Sequence, residues 1–245
     1  MDTNLNMAKR ALKDASPILF AYFPIAVTFG VIATDSGLSF LEVFLISALV
    51  YAGGAQFMLV SFIATGDSFF ATILTTLLVN LRHVLYGTTL GPAFSSWKEG
   101  RKWAFAFGMT DEVFAVASSR ILQNPAVPIY QLPFAGACYL SWLLGTVVGA
   151  GIGGIVPAQL SATLSFALPA LFLALVFLGK RTFAHFSAAL CGAALAILAN
   201  LLHMGSFGIV LGAVTGATLG FVIHLHRSRT AQNTRALQSG APFGE

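Results

Sequence analysis

The chain has 245 residues, of which 57% are hydrophobic and only 9% charged, with a formal net charge of +4. Soluble domains carry about a quarter charged residues, so this composition excludes a soluble globular protein. The scattered bases sit at the ends of apolar segments, which speaks for membrane flanks and against a nucleic-acid surface.

At roughly 20 apolar residues per crossing, the length fits an all-α, polytopic membrane helix bundle of about eight transmembrane helices. The alternating ten-residue segments of a β-barrel do not occur. Residues 1–226 read as one transmembrane domain and 227–245 as a polar, disordered cytoplasmic tail. The segment 1–16 reads as a short cytoplasmic lead-in, with Leu5, Ala8, Leu12 and Ala15 on one side of an interfacial helix at 3–14. The following run is too long for a signal peptide and is expected to stay as the first span.

Spans are expected near 17–34, 40–63, 69–90, 103–119, 129–150, 161–179, 185–202 and 207–225, with turns such as "TDSG" and "TGDS" between them. Pro24 and Pro169 lie within spans and are expected to kink or break them. With a cytoplasmic N-terminus, eight spans place Lys9, Arg10, Lys13, Arg120, Lys180, Arg181, Arg227, Arg229 and Arg235 on the cytoplasmic side. Lys98, Arg101 and Lys102 oppose that rule, and a break at Arg82 or a half-helix in the fourth span would leave seven crossings. In either count the chain is expected to be a multi-pass membrane protein. With eight spans both termini are cytoplasmic.

The third span is interrupted by "VNLRHVLYG" at 79–87. A central Arg or Lys costs about 2.5–3.5 kcal/mol on insertion scales, so Arg82 requires an acidic partner or water. Helical spacing puts Arg82 and Tyr86 on one face, with Asn80 and His83 on a neighbouring one. The fourth span supplies the acids, Asp111 and Glu112, in "GMTDEVFA". One is expected to pair with Arg82, leaving the other to face a cavity and carry a proton or meet an ammonium group. In "YAGGAQF", Gly53 and Gly54 invite a helix break beside the Gln56 amide, a device by which transporters expose backbone groups to substrate. Four glycines at a spacing of four, Gly208, Gly212, Gly216 and Gly220, form a bare stripe for helix packing or contact with another subunit. Gly145, Gly149 and Gly153 repeat that spacing.

The substrate-binding candidates are therefore Arg82, Asp111, Glu112, Gln56, Asn80, Gly53, Gly54 and Tyr86, with His83 or Glu112 as proton carrier. Cys138 and Cys191 read as packed thiols, and no metal or cofactor pattern occurs. The absence of a Walker sequence argues against ATP hydrolysis by this chain. An intramembrane enzyme using His83 with Asp111 or Glu112 lacks a nucleophile. A passive channel is the other alternative, distinguished by uncoupled, unsaturable flux.

The order of "YFPIAVTFGVIA" (22–33), "SALVYAGGAQFMLV" (47–60), "LLVNLRHVLYG" (77–87) and "TDEVFA" (110–115) resembles the AzlC-type branched-chain amino-acid permeases. The resemblance implies export of L-leucine, L-isoleucine and L-valine, with L-methionine as a further candidate, across a bacterial cytoplasmic (inner) membrane, driven by an ion or proton gradient. It also implies a small AzlD-like membrane subunit encoded separately. It covers the first half of the chain by motif and the second by hydropathy and length.

Overall fold

The computed structural model describes residues 2–66, 69–157, 182–202, 211–212 and 214–227, with isolated positions between 158 and 181. Those residues are helical with no strand among them, and they divide into two units, Met1–Pro169 and Ala170–Glu245. The sixth expected span, Gly208 and the expected disordered tail from 228 onward lie outside the described residues.

The first unit is organised around a parallel pair of long helices, α1 (Asp2–Asp35) and α8 (Pro128–Ile152). On α1 the buried residues Ala11, Ala15, Ile18, Tyr22, Ala26, Phe29 and Ala33 recur every three or four positions, the period of one helix face. α8 answers with its small residues. A Cβ at Gly145 would lie 2.6 Å from the Phe23 carbonyl, one at Gly153 2.8 Å from the Thr34 side chain, and one at Gly149 would collide with the Val27 carbonyl. Gly30 of α1 in turn faces the backbone of α8. The stripe at 145, 149 and 153 thus lets two backbones touch within one chain. The parallel direction is that of a first and a fifth span in an alternating bundle.

α1 is continuous where a separate interfacial helix at 3–14 was expected. Ala11 and Ala15 are completely buried, while Leu5 and Leu12 are exposed, so packing against the bundle extends the helix through its charged first turns. Nor does Pro24 break it. Side-chain hydrogen bonds brace the backbone on either side of it: Ser141 Oγ donates to the Leu19 carbonyl at 3.1 Å and Thr28 Oγ1 to the Pro24 carbonyl at 3.0 Å.

Between these pillars three spans are each divided into two helices: α2 (Phe40–Leu49) and α3 (Gly53–Thr65), α4 (Phe69–Asn80) and α5 (Arg82–Leu90), and α6 (Glu99–Phe107) and α7 (Asp111–Ile121). This is why only Asn4–Asp35 and Pro128–Ile155 are long and apolar enough to cross a membrane unbroken among the described helices. α2 begins with a capping box, in which Ser39 N donates to Glu42 Oε2 at 2.7 Å and Glu42 N to Ser39 Oγ at 3.4 Å. Glu42 therefore starts a helix.

In the second unit, α9 (Phe183–Leu201) lies antiparallel to the helical stretch at 214–227. A Cβ at Gly216 would meet the Ala188 carbonyl at 2.6 Å, and Gly212 and Gly220 face Ala196 and Ala188. The described glycines of this stripe thus serve packing within the chain. The Arg227 guanidinium stands 4.3 Å from the centre of the Phe183 ring. Cys138 is fully buried and Cys191 half-buried, both as free thiols.

Candidate functional site

The break between α2 and α3 spans Val50, Tyr51 and Ala52 and comes just before Gly53 and Gly54, which open the next helix. Two features favour it there. Gly53 must be small, because a Cβ would lie 2.7 Å from the Trp142 indole. Gln56 then secures the turn: its Nε2 donates to the Val50 carbonyl at 2.5 Å, while its Oε1 accepts from Trp142 Nε1 at 2.9 Å. Tyr139 Oη donates to the Ala48 carbonyl at 3.0 Å, and Ser47 and Thr146 share a buried hydrogen bond of 2.8 Å. α2 and α3 are thereby fastened to α8 by polar side chains on both sides of the break. At the start of α3 no side chain caps the first turn, so its N–H groups are left for another acceptor.

The second break, at Gly108–Thr110, sets Asp111 and Glu112 in the first turn of α7, where the helix dipole favours carboxylates. Thr110 Oγ1 caps this turn by accepting from Val113 N at 3.3 Å, and it lies 2.5 Å from Tyr22 Oη. Tyr22 Oη also donates to Glu112 Oε2.

The third interruption, at Leu81, is slight, but it divides the polar residues of α4 and α5 between two places. Arg82 Nη1 approaches Asp111 Oδ2 at 2.6 Å, and Tyr86 Oη donates to Asp111 Oδ1. The Tyr86 ring stacks on Phe114 with centroids 4.3 Å apart. Asp111 is therefore the acid that meets Arg82, and Glu112 is held by Tyr22. Asn80 and His83 face elsewhere, with His83 Nδ1 donating to the Asn80 carbonyl at 3.1 Å.

Asn80 and His83 line an open hollow of about 270 Å³ together with Leu49, Val50, Tyr51 and Ala52 from the first break and Ala106, Phe107 and Met109 from the second. The three interruptions thus meet around one hollow. Beside it, Asn80 Oδ1 and Tyr51 Oη are buried without a hydrogen-bond partner among the described residues, a condition that native proteins rarely leave unanswered. Sites for drug-sized ligands span roughly 300–1,000 Å³; at about 270 Å³ this hollow falls just below that range and suits only a smaller metabolite. Leu49, Val50, Phe107 and Met109 supply an apolar wall.

Of the expected site residues, Asn80 and His83 line this cavity, and Gly53 and Gly54 follow immediately on its wall. Gln56 sits behind that wall, and Arg82, Tyr86 and Asp111 form a separate triad. Tyr51, Phe107, Met109, Tyr22 and Trp142 were not anticipated. The signal for the tyrosines was a hydroxyl within an apolar run, which demands a partner. Among the described residues no three His, Cys, Asp or Glu side chains converge as metal ligands.

The family model described as AzlC protein matches residues 17–156, a stretch that contains all three breaks. The inner membrane protein YgaZ of Escherichia coli K12 is 36% identical over 85% of this chain and 89% of its own length. An uncharacterised membrane protein of Archaeoglobus fulgidus is 35% identical over 87% and 94%. The branched-chain amino acid transport protein AzlC of Bacillus subtilis 168 is 24% identical over 79% and 76%. No solved structure matches the chain.

Proposed function

The chain belongs to the AzlC family of membrane transport proteins, and from that premise we propose that it exports branched-chain L-amino acids as a gradient-driven secondary transporter working with a small membrane subunit. The observation that carries the reading is the cavity where three broken helices meet. Discontinuous helices around a central site are a recurrent way for transporters to hold a substrate.

A zwitterionic amino acid makes three demands, and the cavity has a group for each. The carboxylate is received by the uncapped N-terminus of α3, at the N–H groups of Gly53 and Gly54, where the helix dipole is positive. The ammonium donates to Asn80 Oδ1, now without a partner. The branched side chain lies on Leu49, Val50, Phe107 and Met109. The Arg82–Asp111–Tyr86 triad fixes α5 against α7 and holds that half of the wall in place. Glu112, bonded to Tyr22 of α1, and His83, at the cavity, are the proton carriers in this reading.

The test is efflux from cells loaded with a leucine-containing dipeptide and producing this chain with its small partner. Ala106→Phe, which fills the cavity, is expected to abolish efflux while leaving the protein in the membrane at normal abundance. Undiminished efflux from that variant would overturn the site. Efflux that ignores a proton uncoupler and never saturates would overturn the coupling and indicate a passive pore.

A further inference from the structure

At the other end of α7 from Asp111 lies a second cavity, of about 420 Å³, bordered by Arg10 and Asp14 of α1, Ser119, Arg120 and Asn124 at the end of α7 and its following turn, and Tyr130 of α8. From Asp111 to Ser119 the helix rises about 12 Å, so this hollow is separate from the central one. Its charges are unevenly satisfied. Asp14 Oδ2 accepts from Tyr130 Oη at 2.7 Å and lies 3.9 Å from Arg10 Nε. The acid is thus already engaged. Arg120 stacks over the Tyr130 ring, its Cζ 3.5 Å from the centroid. It forms no ion pair among the described residues, and its buried Nε has no hydrogen-bond partner.

The C-terminal dipole of α7 and the Tyr130 ring account for a cation at this place. They do not account for an unanswered N–H beside a cavity furnished with a hydroxyl and an amide. That set of donors matches an oxyanion, and a guanidinium binds phosphate well.

Depth in the membrane indicates which oxyanion. The uncharged part of α1 runs from Pro17 to Thr34, about 27 Å of helix at 1.5 Å per residue, close to the thickness of a hydrocarbon core. Asp14 and Arg10 lie three and seven residues before it, hence about 5 and 10 Å outside the core, at the level of lipid headgroups. Because α1 and α8 run parallel, Tyr130 and the end of α7 reach the same level. Lys9 and Lys13 add positive charge to this end.

We propose that this cavity binds the phosphate of an anionic phospholipid headgroup, with Arg120 as its principal ligand and Arg10, Ser119 and Asn124 around it. Basic pockets between membrane helices hold such headgroups elsewhere by the same chemistry. The inference does not depend on what the central cavity carries.

The test is native mass spectrometry of the purified protein in detergent, offered equal amounts of phosphatidylglycerol and phosphatidylcholine. The protein should retain phosphatidylglycerol preferentially, and Arg120→Gln should reduce that preference about fivefold. Arg120→Lys should reduce it less, and Arg101→Gln, at an exposed arginine of α6, should leave it unchanged. A wild-type preference in Arg120→Gln overturns the proposal. Should that variant not fold, Ser119→Ala and Asn124→Ala take its place, and an unchanged preference in both has the same force. Inorganic phosphate that displaces phosphatidylglycerol at millimolar concentration would assign the oxyanion to solution and overturn the lipid source.

Discussion

Gln56 and Trp142 are joined by a hydrogen bond of 2.9 Å between side chains that are both buried, and the same carboxamide grips the Val50 carbonyl across the break in the second span. One amide thus answers a donor and an acceptor that would otherwise be stranded. Gln56→Leu is expected to destabilise the protein by about 1–3 kcal/mol for each group orphaned. Trp142→Phe removes the donor together with the part of the indole that packs on Gly53, so it should be destabilising as well. Thermal unfolding in detergent measures both, and the double variant should fall short of the sum because the two residues share one bond.

Arg82 and Asp111 form a unit with Tyr86, and the prediction for them concerns additivity. Removing either charge leaves its partner uncompensated; for a fully buried pair that typically costs about 3–5 kcal/mol, and this half-buried pair should lose less. Arg82→Ala and Asp111→Asn should each reduce efflux and membrane abundance severely, with the double variant no worse than the singles. Tyr86→Phe should be much milder. Strictly additive losses, measured by efflux and by quantitative blotting, would contradict the pairing.

Glu112 is predicted to carry coupling without building the site. Glu112→Gln retains an acceptor for Tyr22 but cannot release a proton. In proteoliposomes it should lose proton-driven transport while preserving exchange of labelled for unlabelled leucine. Loss of both activities to the same degree would assign Glu112 to substrate binding or to structure.

The glycines of α8 divide into crowded and free positions. Gly145→Ala and Gly149→Ala place a methyl against the α1 backbone and should destabilise by about 1–3 kcal/mol. Gly151→Ala, and for comparison Gly87→Ala on α5, where no atom of the described residues lies within 4 Å of the added Cβ, should be neutral or slightly stabilising, since alanine favours the helix. Melting curves of the four variants provide the comparison.

The Arg82–acid pairing was legible in the sequence because a charge in an apolar span must be answered, and only Asp111 and Glu112 were at a comparable depth. Helical spacing also separated Arg82 and Tyr86 from Asn80 and His83. Choosing between the two acids was not possible, since adjacent carboxylates differ only in which direction the helix turns them. The Gly-Gly pair marked a break to within a few residues, but not that Gln56 would close it behind the wall. Tyr22 and Tyr51 did not stand out in the sequence, because a hydroxyl's partner comes from another helix. The long first helix was hidden for a similar reason: Lys9, Arg10 and Lys13 advertise an interface, whereas the neighbouring Ala11 and Ala15, which pack, are inconspicuous.

Where α1 and α8 meet at Gly30, Gly145 and Gly149, peptide backbone lies against peptide backbone with no cushion of long side chains between them. Such a seam has no compliant layer in which one helix can slip past the other, so the pair behaves mechanically as a single strut. Any reshaping of the central hollow during a transport cycle must then be taken up at residues 50–52, 81 and 108–110, where the helical hydrogen-bond ladder is already interrupted. An engineered disulfide across the α1–α8 seam should therefore be tolerated by transport, while one that clamps α2 to α3 across residues 50–52 should stop it.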